Sequence, residues 1–127
     1  MNKFVLDASA VIASINKEPG GEGVFDDAAD FILLSVNLAE VVGLLVRQGG
    51  TLESARKSIG YLGLQIVDFD RDLAEHAGAM IARTRSLGLS LGDRACLALA
   101  ARENLPVLTA DSGWRGLDLG IEIRFIR

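Results

Sequence analysis

Lys3-Phe4-Val5-Leu6-Asp7-Ala8-Ser9 is the stretch that decides the fold. Three consecutive large apolar residues, Phe4 to Leu6, read as a short strand buried on both faces, the pattern of a parallel sheet. A carboxylate follows at once. Burying an ionised group without a partner is costly, so Asp7 belongs at an open edge of the sheet or beside a cation. The small residues Ala8, Ser9 and Ala10 then let the chain turn into a helix carrying Val11, Ile12 and Ile15. In open α/β sheets ligands gather outside the carboxyl ends of the strands, where this reading puts Asp7.

The bulk numbers fit one α/β domain spanning residues 1–127, since 127 residues suffice for a real core. Half the residues are hydrophobic and 24% are charged, with no block of like charge, which excludes a disordered chain. A formal net charge of -4 gives no global attraction to a polyanion, so nucleic acid must be met by a local patch or a metal. The lone cysteine, Cys96, rules out an internal disulfide and suits an inert core thiol in a reducing cytoplasm. The apolar region Phe31 to Val46 is interrupted by Ser35, Asn37 and Glu40 and is too short for a membrane span. No targeting segment is read at the start of the chain.

Working outward, Glu18-Pro19-Gly20-Gly21-Glu22-Gly23 is a breaker-rich loop, followed by a short helical piece near Val24 to Ala29. No Gly-Lys-Ser/Thr follows the loop, which argues for a flap over a phosphate cradle. Phe31 to Leu34 is a second buried strand. Ser35 or Asn37 caps a helix carrying Leu38, Val41, Val42 and Leu45, which ends before Gly49-Gly50. Its apolar residues exceed one helix face, so some of them serve an interface. Thr51 to about Leu62 is a helix with Thr51 as N-cap, and Leu64 to Val67 is a third strand. Asp70 caps a long helix with Leu73, Ala77, Met80 and Ile81 inward, ending at Ser86-Leu87-Gly88-Leu89. Ser90 to Ala101 is an almost wholly apolar, buried helix. Val107 to Thr109 is a fourth strand, and the alternating Ile121 to Phe125 is a half-exposed edge strand. The pattern is a central, mostly parallel sheet of four to five strands with helices on both faces, in three layers.

In such a sheet the end of each strand and the start of the next helix share one edge. Asp7 ends strand one, Glu40 sits in the first turn after strand two, and Asp111 directly follows strand four. The helix holding Asp93 feeds strand four from the opposite edge, so it begins on the Asp7 side. Four carboxylates therefore converge. Each also has an ordinary explanation: Glu40 and Asp93 as far members of capping boxes with Asn37 and Ser90, Asp111 as a turn residue, Asp7 as a helix cap. Their arrival together is what needs a cation, because close carboxylates raise one another's pKa. Oxygen donors without His or Cys select a hard ion, Mg²⁺ or Mn²⁺, and such ions serve phosphoryl chemistry.

The motifs Val5-Leu6-Asp7-Ala8-Ser9, Asn37-Leu38-Ala39-Glu40, Leu89-Ser90-Leu91-Gly92-Asp93 and Leu108-Thr109-Ala110-Asp111, with Trp114 beyond, resemble those of PIN-domain proteins. The similarity in order and spacing is to the VapC-type ribonuclease toxins of toxin-antitoxin pairs. The resemblance implies a PIN fold and an Mg²⁺- or Mn²⁺-dependent endoribonuclease with RNA as substrate. It also implies a homodimer held in check by a VapB-type antitoxin. By position it makes Asp7, Glu40, Asp93 and Asp111 the catalytic quartet. Asp7 and Asp93 would be the nearest metal ligands, with Asp111 and Glu40 completing the site directly or through water. Ser9 and Thr109 would orient those carboxylates. The family often has Ala where Gly92 stands, a departure expected only to loosen that helix start.

Arg94 and Arg115 adjoin proposed site residues and are the candidate RNA-phosphate contacts, against a plain reading as solvated or paired surface arginines. His76 is the sole histidine and has no partner for a Ser/His/Asp arrangement. Trp114 reads as packing in preference to base stacking. Two other functions compete with RNA cleavage. A phosphatase forming an aspartyl phosphate at Asp7 would want an Asp where Ser9 stands and a site lysine. A non-enzymatic regulatory module with an acidic pocket would want a lysine after the last strand, where only arginines occur.

Overall fold

The structure is a computed structural model, and it describes residues 2–26 and 29–127. Among these residues five strands form one sheet: β1 (Lys3–Leu6), β2 (Asp30–Leu34), β3 (Gln65–Val67), β4 (Val107–Thr109) and β5 (Ile123–Phe125). They run in the order β3-β2-β1-β4-β5, every neighbouring pair parallel. The chain steps outward from β1 to β3 and then returns to the other side of β1. The gap between the ends of β1 and β4 is thus the topological switch point, where open α/β sheets leave a crevice.

Among the described residues, six helices cover the faces: α1 (Ala8–Ile15), α2 (Ser35–Arg47), α3 (Leu52–Gly60), α4 (Arg71–Ala79), α5 (Ile81–Thr84) and α6 (Leu91–Glu103). Alternation along the strands divides the core into two. Leu6, Phe31 and Leu33 face Ala10, Val11, Val41 and Ile59 of α1, α2 and α3. Val5, Ile32, Leu34 and Val107 face Leu73 and Ala77 of α4 and the run Ala95 to Ala100 of α6. Six consecutive buried residues make α6 a helix with little amphipathic face, as its apolar sequence demands. Among the described residues, no helix is long and apolar enough to cross a membrane.

Three expectations need correction. The helix after β2 begins at Ser35 itself, with Leu34 at the N-cap position and no side-chain cap. Ser35 instead accepts a hydrogen bond from the Phe69 amide, tying the start of α2 to the β3–α4 loop. The long helix expected from Asp70 onward breaks at Met80 into α4, α5 and a 3₁₀ turn (Arg85–Leu87), and Ile81 is 47% exposed rather than inward. Residues 21–26 are turns, and the remainder of the helical piece expected near Val24 to Ala29 falls largely on residues 27–28, outside the described residues. The caps Thr51, Asp70 and Ser90 are as expected.

Candidate active site

Asp7, Glu40, Asp93 and Asp111 all line one cavity of about 440 Å³ at the carboxyl edge of the sheet. Ala8, Ser9, Ile12, Gly43, Leu44 and Arg47 complete its wall. Each of the four acids is held by its own local structure.

Asp7 is the N-cap of α1, its Oδ1 accepting from the Ala10 amide at 3.0 Å. It is 4% exposed. Two hydroxyls support it: Ser9 Oγ lies 2.7 and 2.8 Å from its two oxygens, and Thr109 Oγ1 donates to Oδ2 at 2.7 Å. Each hydroxyl oxygen in turn accepts a backbone N–H from the segment after β4, Ser9 from Ala110 at 2.9 Å and Thr109 from Asp111 at 3.0 Å. A hydroxyl occupied in this way points its own proton elsewhere, here at Asp7. Burial nonetheless pushes the Asp7 carboxyl up to about 6, against the lowering by Thr109, Ser9 and Ala10, with the Asp93 charge adding to the rise.

Asp93 closes a capping box with Ser90 at the start of α6: its Oδ2 accepts from the Ser90 amide at 3.0 Å and its own amide donates to Ser90 Oγ at 3.1 Å. Asp111 caps the 3₁₀ turn Ser112–Trp114 through Oδ1, which accepts from Gly113 at 2.8 Å. Glu40 does no capping. It lies in the second turn of α2, and Asn37 Nδ2 donates to its Oε1 at 2.8 Å. Among the described residues, Glu40, Asp93 and Asp111 each keep one carboxylate oxygen without a hydrogen-bond partner.

The two arginines chosen for their sequence neighbours are elsewhere. Arg94 is half-buried and donates from Nη1 to the Ala77 carbonyl of α4 at 2.9 Å. Arg115 lies over the Phe125 ring at 4.2 Å and donates to the Arg127 carbonyl. Neither lines the cavity. The arginine that does is Arg47, in the last turn of α2. It stands seven residues after Glu40, with Leu44 four after it, so helical spacing from Glu40 was the signal that finds it. Trp114 is 1% exposed, in keeping with the packing reading, and Cys96 is fully buried with its thiol pushed up by burial.

The donor set suits a hard divalent cation: oxygens only, four carboxylates around one cavity, three with an oxygen to spare. Among the described residues, no three such groups are drawn together closely enough to form a closed ligand set, so the carboxylates line the wall rather than meet at a point.

This parallel sheet with an acidic crevice at its switch point is the architecture of a PIN domain. A family model for the PIN domain matches residues 4–119, and the chain belongs to that family. No curated protein sequence matches the chain. Among solved structures, it is similar to VapBC2 from Rickettsia felis bound to a DNA fragment from their promoter. That similarity has a TM-score of 0.76 and 18% identity, and covers 97% of this chain and 98% of the other. It is also similar to Mycobacterium tuberculosis VapC20, a sarcin-ricin loop cleaving toxin, at a TM-score of 0.75 and 17% identity over 86% and 90% of the two chains. DNA-bound VapBC from Salmonella typhimurium aligns over 100% of both chains at a TM-score of 0.73 and 22% identity.

Proposed function

We propose that this chain is a metal-dependent endoribonuclease of the VapC toxin type, hydrolysing RNA phosphodiesters at the acidic cavity and restrained by a VapB-type antitoxin. The observation that carries the reading is the meeting of Asp7, Glu40, Asp93 and Asp111 on one cavity of a PIN sheet. The similarity to VapBC structures and to a toxin that cleaves the sarcin-ricin loop supports the substrate class and the partner. A homodimer is the assembly expected with it.

Asp7 and Asp93 would hold Mg²⁺ or Mn²⁺, with Glu40 and Asp111 joining directly or through water. Such an ion supplies an acidified water and neutralises charge on the phosphodiester. The chain's own work is to orient the carboxylates. Ser9 and Thr109 fix both Asp7 oxygens, Asn37 fixes Glu40, and the capping bonds of Asp93 and Asp111 hold one oxygen each. Arg47 on the cavity wall is the residue to meet an RNA phosphate, which a chain of net charge -4 otherwise repels. Among the described residues no lysine lines the cavity, which disfavours an aspartyl-phosphate enzyme.

The test is cleavage of pooled cellular RNA by purified, antitoxin-free protein with Mg²⁺, with Mn²⁺ and with EDTA, beside Asp7→Asn and Asp93→Asn. Metal-dependent cuts that vanish in both variants are expected. Silence from folded protein that binds metal, or cutting that survives both substitutions, would overturn the reading.

A further inference from the structure

Asn37 is fully buried between α2 and α6. Its Nδ2 donates to two acceptors on different helices, Glu40 Oε1 at 2.8 Å and the Gly92 carbonyl at 3.1 Å, while its Oδ1 is buried with no partner among the described residues. Both partners are acceptors, so only this orientation of the amide bonds to them. A buried amide with its carbonyl unpaired is a poor choice for stability, where an apolar side chain of similar shape serves better. Gly92 is equally poor on those terms. It lies in the first turn of α6, where alanine is the better helix former. Yet a Cβ there would stand 2.6 Å from both carboxylate oxygens of Glu40, so the glycine expected only to loosen this helix start also makes room for that carboxylate. Two locally unfavourable residues thus converge on one carboxylate.

We propose that Asn37 and Gly92 are positioning residues that form a seat for the Glu40 carboxylate on the first turn of α6, and so set its spacing from Asp93, the residue after Gly92. Asn37 supplies the donor that turns the carboxylate toward α6. Gly92 supplies the bare backbone that lets it come down. The catalytic consequence rests on the ribonuclease reading above, whereas the seat itself is a property of the metal-free chain.

The experiment compares Gly92→Ala, Asn37→Leu and Glu40→Ala, singly and with each of the first two added to the third. The metal-free proteins are followed by the NMR signal of the Asn37 side-chain amide and by thermal unfolding, and Mn²⁺ alone is titrated by calorimetry. Gly92→Ala is expected to hold or raise Tm, to move the Asn37 amide signal, and to weaken Mn²⁺ binding about tenfold, the scale of an outer partner of a metal ligand. Asn37→Leu is expected to weaken Mn²⁺ binding by a similar factor. On top of Glu40→Ala neither should cost more than about twofold, because the group they position is gone. An amide signal unmoved by both Gly92→Ala and Glu40→Ala overturns the seat, as do losses that add fully to Glu40→Ala. A wild-type protein that binds no Mn²⁺ and cuts no RNA overturns the ribonuclease reading instead, and the amide signal still decides the seat.

Discussion

Asp7 and Asp70 do the same local job. Each is a helix N-cap with extended backbone, φ -85° and ψ 171° for Asp7 and φ -87° and ψ 178° for Asp70, and each accepts from the amide three residues on, at 3.0 and 2.9 Å. Their electrostatics are opposite. The Leu73 amide, and then Arg102, hold the Asp70 carboxyl below the ordinary value in open solvent. Burial pushes Asp7 up to about 6 although Thr109, Ser9 and the Ala10 amide all donate to it. A cap is therefore written in a few neighbouring residues. What distinguishes the site is desolvation at the switch point of the sheet, with three further carboxylates on the same cavity.

The most forceful way to break the comparison is to exchange each carboxylate for its amide. Asparagine caps a helix about as well as aspartate, so neither change disrupts α1 or α4. Asp7→Asn is expected to lower metal-dependent RNA cleavage by more than about 100-fold, since even outer partners of metal ligands are worth about 10–100-fold. Asp70→Asn is expected to leave the cutting rate unchanged and to lower Tm modestly through the lost pairing with Arg102. Equal losses in the two variants, measured on one RNA, would remove the distinction drawn here.

That distinction was half legible in the sequence. Phe4 to Leu6, Phe31 to Leu34 and Val107 to Thr109 are short apolar runs ending at small or polar residues, and the strand-end rule sorts Asp7, Glu40, Asp93 and Asp111 to one edge without coordinates. Asp7 and Asp70 are both read as caps. Their difference in burial is not local and depends on β4 returning beside β1. The break at Met80 has Gly78 two residues before it, but an isolated glycine within a helical pattern is tolerated and does not by itself fix a break. Arg94 misled through sequence adjacency: one residue on from Asp93 is about 100° around a helix, which turns it to α4. Arg47 was missed because it is far from every acid in sequence except through the turns of α2.

Acid-base titration of stability sharpens the same pair. Between its ordinary value of 3.8 and about 6, Asp7 keeps a proton in the folded chain that the unfolded chain has lost. Stability of the metal-free protein therefore falls as pH rises through that window, by about 3 kcal/mol at most from a shift of this size. Asp70 works the other way. Its contribution is present above its ordinary value and is lost as pH falls through its lowered one. Urea unfolding from pH 3 to pH 8 should show the fall between about pH 4 and pH 6 in wild type and in Asp70→Asn, and not in Asp7→Asn. Adding Mn²⁺ should restore stability above pH 6, by about 2.7 kcal/mol at a concentration 100 times Kd, and by less at pH 5, where the proton competes. A profile unchanged by Asp7→Asn would show that another group sets it.

The smallest expected effect isolates a single donor. Thr109 Oγ1 gives its proton to Asp7 Oδ2 at 2.7 Å while accepting the Asp111 amide, so one hydroxyl joins two of the four acids. Thr109→Val keeps the shape and removes both bonds. A carboxylate that loses a donor to its charged form titrates higher, so Asp7 should rise further above its ordinary value. The acidic limb of the pH–rate profile should then move to higher pH, with cleavage at pH 8 reduced about tenfold and the deficit growing toward pH 6. That growing deficit separates lost orientation from lost stability, because a merely destabilised protein that stays folded at the assay temperature has the same limb as wild type. Among the described residues Asp70 has no hydroxyl in this role, and its pairing partner Arg102 is in the last turn of α6, at the other end of the helix from Asp93, and does not line the cavity. Arg102→Gln should therefore release Asp70 toward its ordinary value and leave the limb where it is.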